Sequence, residues 1–207
     1  AHRYIWNENI YSNTSLSLSY QDAKAIFYEN KSDTISLRTK DLYKTFNARQ
    51  LNHIRFNELI GGLFGIEIQN RNLDYDFLLN NVESKNDVSV TNLSSFFTFQ
   101  SALFNKALIS LGFRFNWNSH EEDILIAPRI NIDFSLDRGW GNIIYNSGTY
   151  FQNPPEKYLS IVDNNDLKTI NTFQHSLTFE KLITNSTKFS ISIYKKNYHN
   201  APMMDNN

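Results

Sequence analysis

The chain of 207 residues contains no cysteine. A disulfide framework and a cysteine-ligated zinc site are both excluded by that absence. Glycine and proline are scarce, with Gly 7 and Pro 4. Breakers therefore do not divide the chain, and changes in periodicity must be read instead. Neither sign of charge dominates: Lys+Arg 20 stands against Asp+Glu 21, a formal net charge of −1. No basic footprint for nucleic acid is present, and no such partner is expected. No apolar run approaches the roughly 18 residues of a membrane helix. The choice left is between a soluble protein and a membrane barrel, because half of each barrel strand and all of its loops are polar. The chain begins at Ala1, and no basic stretch followed by an apolar one resembles a signal peptide. A piece of a longer chain is the expectation.

Aromatics make up 14% of the residues, with Phe 16 and Tyr 11, and asparagine is plentiful. Phe, Tyr and Ile suit strands, and Asn suits turns. The arrangement is more telling than the totals. In 106–118, Ala107, Ile109, Leu111, Phe113, Phe115 and Trp117 fall on one face, and Leu108, Ser110, Gly112, Arg114 and Asn116 on the other. In 124–136, Ile124, Ile126, Pro128, Ile130, Ile132, Phe134 and Leu136 alternate with Leu125, Ala127, Arg129, Asn131, Asp133 and Ser135. One face is greasy along its whole length and the other carries charge. That suits a wall with lipid on one side and water on the other.

The pattern predicts about nine long strands, near 13–28, 43–57, 59–72, 92–104, 106–118, 124–136, 140–151, 170–183 and 187–199. A strand fragment near 2–6, with Tyr4 and Trp6, precedes them. Connections alternate in length. Short ones fall at Asn57-Glu58, Asn105-Lys106, Asp137-Arg138-Gly139 and Thr184-Asn185-Ser186, with residues that tight hairpins favour. Mostly longer polar ones are expected near 29–42, 73–91, 118–123 and 152–169. Short turns at one end and long loops at the other is the layout of an outer-membrane barrel. Trp117 and Trp140 sit at strand ends, where a membrane interface holds amphipathic rings.

The segment 127–159 resembles the barrel of TonB-dependent outer-membrane receptors: Pro128-Arg129 opens a strand, and Gly148, Tyr150, Phe151, Gln152 and Pro154 follow in the family's order. The next hairpin, 170–202, is similar to the one that follows there, with Phe173, His175, Glu180, Tyr194, Lys195 and Tyr198 in order. Upstream, 59–77 resembles the family's strand with a Gly-x-Glu-x-x pattern. The likeness is strongest over 59–199 and has the flavour of receptors from Bacteroidetes-like bacteria. It implies an outer-membrane location, lipid contact, and a barrel wall for energy-coupled uptake of a nutrient such as a metal chelate, vitamin or glycan. The family carries a plug domain inside a barrel of about twenty-two strands. Neither a plug nor a TonB-contacting segment is seen here. The expectation is a single barrel region, 1–207, that is a mid-to-late fragment. Contact with the TonB system would run through the missing plug.

The fold class expected is thus all-β, an antiparallel up-and-down transmembrane barrel segment, as a partial barrel or an open curved sheet. A soluble β-sandwich that binds carbohydrate is the alternative, although sandwich strands average about five or six residues. A passive porin is a third reading.

No Gly-x-Ser-x-Gly elbow and no His-Glu-x-x-His occurs, so no catalytic residue is expected. His53, His175 and His199 are lone strand histidines, of a kind usually lumen-facing or interfacial. The loop Ser119-His120-Glu121-Glu122-Asp123 has carboxylates and one imidazole but no second His at ligand spacing, so a solvated turn is expected and neither metal nor cofactor. Alternation turns Glu67, Gln69, Arg71, Arg114, Asn116, Arg129, Asn131 and Asp133 inward, mostly to form hydrogen-bond and ion-pair ladders. The candidates for ligand capture are the loop aromatics Tyr150, Phe151 and Tyr158, with Arg114 and Arg129 on the lumen side.

Overall fold

The computed structural model describes residues 1–28, 35–79, 82–104, 106–156, 159 and 167–201. Among them are ten strands: β1 (His2–Asn7), β2 (Ile10–Tyr28), β3 (Ile35–Arg55), β4 (Ile60–Leu79), β5 (Val82–Leu103), β6 (Ala107–Asn118), β7 (Ile124–Leu136), β8 (Gly141–Gln152), β9 (Ile170–Thr184) and β10 (Thr187–His199). They form one sheet in sequence order, every neighbour antiparallel. Each segment expected to be a strand is one, and the fragment near 2–6 supplies the tenth as β1. A sandwich needs two packed sheets. The single sheet, with strands of 12 to 22 residues after β1, removes that alternative. No helix among the described residues is long and apolar enough to cross a membrane.

Three of the turns among the described residues are held by asparagine side chains. Asn57 Oδ1 accepts hydrogen bonds from the backbone N–H groups of Leu59 and Ile60, both at 2.8 Å. At the opposite end, Asn118 Oδ1 accepts from His120 and Glu121 at 3.0 and 2.8 Å. Asn7 Oδ1 accepts from Asn9 at 2.8 Å. Each amide oxygen holds a tight reversal by local side-chain-to-backbone bonding.

The apolar residues of the strands join across the sheet. Ile109 is paired with Ile132, Ile132 with Tyr145, Tyr145 with Leu177, and Leu177 with Ile193. The next row runs Phe134, Ile143, Phe179, Ile191. On the other flank the same face carries Leu16, Leu18, Phe64, Ile66, Phe97 and Phe113, all exposed. A continuous exposed apolar band of this kind is the mark of a lipid-facing wall. A polar cluster on the same face satisfies itself: Trp6 Nε1 donates to Ser12 Oγ at 2.8 Å, and Ser12 Oγ donates to Asn52 Oδ1 at 2.7 Å. Trp6 and Trp140 lie at the short-turn end, with Lys181 Nζ 5.0 Å from the Trp140 ring centre. Trp117 closes the band at the far end of β6.

The long connections expected at 29–42 and 73–91 are largely strand instead. β3, β4 and β5 run for 21, 20 and 22 residues, about 65–75 Å at the usual rise. That is more than twice the roughly 30 Å of a bilayer's hydrocarbon core. The reason is a reversal of sidedness. Below about residue 70, β4 turns Phe64, Ile66 and Ile68 to the apolar face and Glu67, Gln69 and Arg71 to the other. Above it, Asp74 and Asp76 share the face of the isoleucines, while Leu73 and Tyr75 turn inward and are buried. The outward surface there is a charged lattice: Lys44 to Asp74 at 3.1 Å, Arg38 to Glu83 at 3.4 Å and Lys85 to Glu83 at 3.2 Å. The period of two never stops, so the ladder continues; only the solvent on each face changes.

Candidate functional site

The inward face of β3 to β8 is polar and holds a cavity of about 470 Å³. Most of its wall comes from strand alternation, and the segment after β8, with Asn153, Pro154, Pro155 and Glu156, completes it. Glu67, Gln69 and Arg71 of β4, Asn92 and Ser94 of β5, Arg114, Asn116 and Asn118 of β6, and Arg129 of β7 all line it. A second hollow of about 310 Å³ adjoins it, bordered by Arg49, Phe96, Arg114, Arg129, Asn131, Asn146 and Tyr150.

Two charge groups organise this face. In the first, Glu67 sits between Arg49, at 4.0 Å, and Arg114, at 3.5 Å. Both guanidinium groups also stand near the Phe96 ring, 5.5 and 5.6 Å from its centre. Arg114 further donates to Asn116 Oδ1 at 2.7 Å and to Ser94 Oγ at 2.9 Å. Cation–π contact and hydrogen bonding hold these groups in place. The Phe96 ring takes the space above Gly65, where a Cβ would stand 2.2 Å from Phe96 Cζ. In the second, Arg71 pairs with Glu156 at 3.1 Å. Glu156 belongs to the segment after β8, which folds back against the wall. There Asn153 Nδ2 donates to Asn92 Oδ1 at 2.6 Å, and Thr169 Oγ1 donates to Asn153 Oδ1 at 3.2 Å.

Arg129 differs from its neighbours. Its register partners are Gly112 on β6 and Gly148 on β8. A Cβ at Gly148 would meet Arg129 Cγ at 2.8 Å and Pro128 O at 2.9 Å. Glycine there lets the arginine lie along the wall and reach Tyr150, whose ring centre is 4.4 Å from Cζ.

The structure therefore places Arg114, Arg129 and Tyr150 together on the inward face. Phe151, on the same strand as Tyr150, borders the larger cavity. Tyr158 lies outside the described residues. Asn131 also stands inward, its Nδ2 donating to Asn146 Oδ1 at 2.5 Å. The acidic loop is used in tethering: His120 Nε2 stands 3.2 Å from the Leu167 carbonyl, and Glu121 accepts from the Thr169 N–H. His53 stacks on Tyr11 with ring centres 4.3 Å apart on the inward face. His175 stands on the apolar face, 3.0 Å from the Tyr145 hydroxyl. Sequence reasoning missed Arg49, Phe96 and Glu156. The glycine facing Phe96 is the local signal for that ring, but it is readable only once the strands are in register.

An up-and-down sheet with an apolar outer band, aromatic ends and a polar, arginine-lined inner face has the architecture of an outer-membrane β-barrel wall. No protein-family model matches the chain, and no curated protein matches it by sequence. Solved structures do match the fold. A mutant of the ferric enterobactin receptor PfeA from Pseudomonas aeruginosa aligns with a TM-score of 0.53 and 9% identity, over 95% of this chain and 41% of that one. The RagAB peptide transporter aligns with a TM-score of 0.55 and 12% identity, over 95% of this chain and 29% of that one. The chain thus spans well under half the length of these neighbours, which are outer-membrane receptors and transporters rather than enzymes.

Proposed function

We propose that this chain is a section of the barrel wall of an outer-membrane receptor for energy-coupled nutrient uptake. One observation carries the reading: the apolar band and the arginine-lined polar face lie on opposite sides of the same ten strands. A soluble sheet has no use for that combination, because its greasy face would stay in water and its edges would pair with other chains. In this reading the band contacts lipid in the outer membrane. Arg114, Arg129, Tyr150, Phe151 and Tyr158 face the ligand path, and a plug elsewhere in the whole protein links the barrel to the TonB system. The neighbours' names, a ferric enterobactin receptor and a peptide transporter, support uptake in general and leave the nutrient class open.

The test is membrane partition of the full reading frame expressed in a Gram-negative host. Recovery in the outer-membrane fraction, with migration on a gel that shifts on heating, is the expected result. A soluble, monodisperse product would end this reading.

A further inference from the structure

Four arginines stand on the inward face around the cavities, and three are ion-paired: Arg49 and Arg114 to Glu67, and Arg71 to Glu156. Arg129 is the fourth. Among the described residues no carboxylate pairs with it. Its contact is the face of Tyr150. It borders both cavities, whereas Arg71 borders only the larger and Arg49 only the smaller. Glycines at its register positions on both flanking strands keep side chains away from its stem.

We propose that Arg129 is the anchor for an oxyanion, a carboxylate or phosphate group carried by the ligand. A guanidinium stacked on a ring keeps its N–H edge free, and that edge matches two coplanar oxygens. Contact with the Tyr150 ring, whose centre is 4.4 Å from Cζ, already restrains the Arg129 side chain, so less freedom is lost when an anion binds. Gly148 is a positioning residue, since any larger residue there displaces the Arg129 stem. Arg114 adds positive potential from the next strand but is already committed to Glu67, Ser94 and Asn116. This inference rests on the receptor reading above and adds the chemistry of what the lumen face holds.

The full-length product of the reading frame, purified in detergent and first shown to be heat-modifiable, is treated with phenylglyoxal, and labelled arginines are mapped by mass spectrometry. Arg129 is expected to react fastest of the four. Citrate or inorganic phosphate is expected to slow its labelling several-fold while leaving Arg71 unchanged. Protection by citrate alone assigns a carboxylate; protection by phosphate alone assigns a phosphate. Isothermal titration calorimetry with the protecting anion gives the affinity, expected to fall about tenfold or more in Arg129→Met and to recover in part in Arg129→Lys. Labelling of Arg129 no faster than Arg114 would overturn the proposal, since another part of the whole protein would then already pair with it. Labelling indifferent to both anions would overturn it too. The wild-type labelling stands if the variants fail to fold. A heat-modifiable protein without anion protection sinks this inference and leaves the barrel reading intact.

Discussion

The ring of Phe96 on β5 fills the space that a side chain at Gly65 on β4 would need: a Cβ at Gly65 would lie 2.2 Å from Phe96 Cζ and 2.6 Å from Cε2. The two residues are register partners. The absent side chain lets an aromatic ring lie on the inner wall between Arg49 and Arg114. Gly65→Ala should therefore overpack the wall and destabilise the barrel by about 1–3 kcal/mol. Combining it with Phe96→Ala should cost less than the two single changes summed, because the clash disappears with the ring. Urea unfolding of the full-length protein in lipid vesicles measures all three. Strict additivity would show that the ring and the glycine are not coupled.

The two faces of the sheet should tolerate charge very differently. Leu111→Arg and Ile132→Arg put a cation in the apolar band and should cost about 2–4 kcal/mol at the bilayer midplane. Asn116→Ala and Asn131→Ala, on the polar face, should cost much less. The same vesicle-folding assay reads both sets. Equal sensitivity of the two faces would mean that the band does not face lipid.

Asn118 is almost fully buried, and its Oδ1 holds the backbone N–H groups of His120 and Glu121. Asn118→Ala leaves both donors without that acceptor and should cost about 1–3 kcal/mol. Asn118→Asp keeps the acceptor and should retain most of the stability. Amide hydrogen exchange at 119–122 is the direct readout, faster in the alanine variant and near normal in the aspartate.

The returning segment after β8 depends on a carboxylate. Glu156 is buried, its side chain 11% exposed, against Arg71 at 43%. Arg71→Met removes the partner and should loosen the tether by about 1 kcal/mol, the exposed guanidinium being well screened by solvent. Glu156→Gln should do less, since the amide oxygen can still accept from Arg71. Hydrogen exchange at 153–156 and 167–169 should rise in Arg71→Met. No change at either stretch would show that Asn153 and Thr169 hold the segment unaided.

Much of the wall was legible in the sequence because a strand's side-chain period is fixed at two. Alternation alone put Ile109, Leu111, Ile130 and Ile132 on one face and Arg114, Asn116, Arg129 and Asn131 on the other, and the short turns followed from their Asn, Asp and Gly. It also separated inward from outward residues in β4, since Glu67, Gln69 and Arg71 share a parity. What alternation does not contain is solvent. At Asn70 to Asp76 the apolar parity changes while the strand continues, and the sequence alone read that change as a loop. Tertiary pairing decided otherwise, because β3 and β5 on either side satisfy the backbone hydrogen bonds of β4 far above the apolar band. Only the fold decided which arginines are paired, too. Arg49 meets Glu67 across a register between β3 and β4, and Arg71 meets a carboxylate 85 residues away. The sequence by itself determined which face each side chain takes; register and the returning segment determined which charges are neutralised, and among the described residues left Arg129 beside Tyr150 without a carboxylate partner.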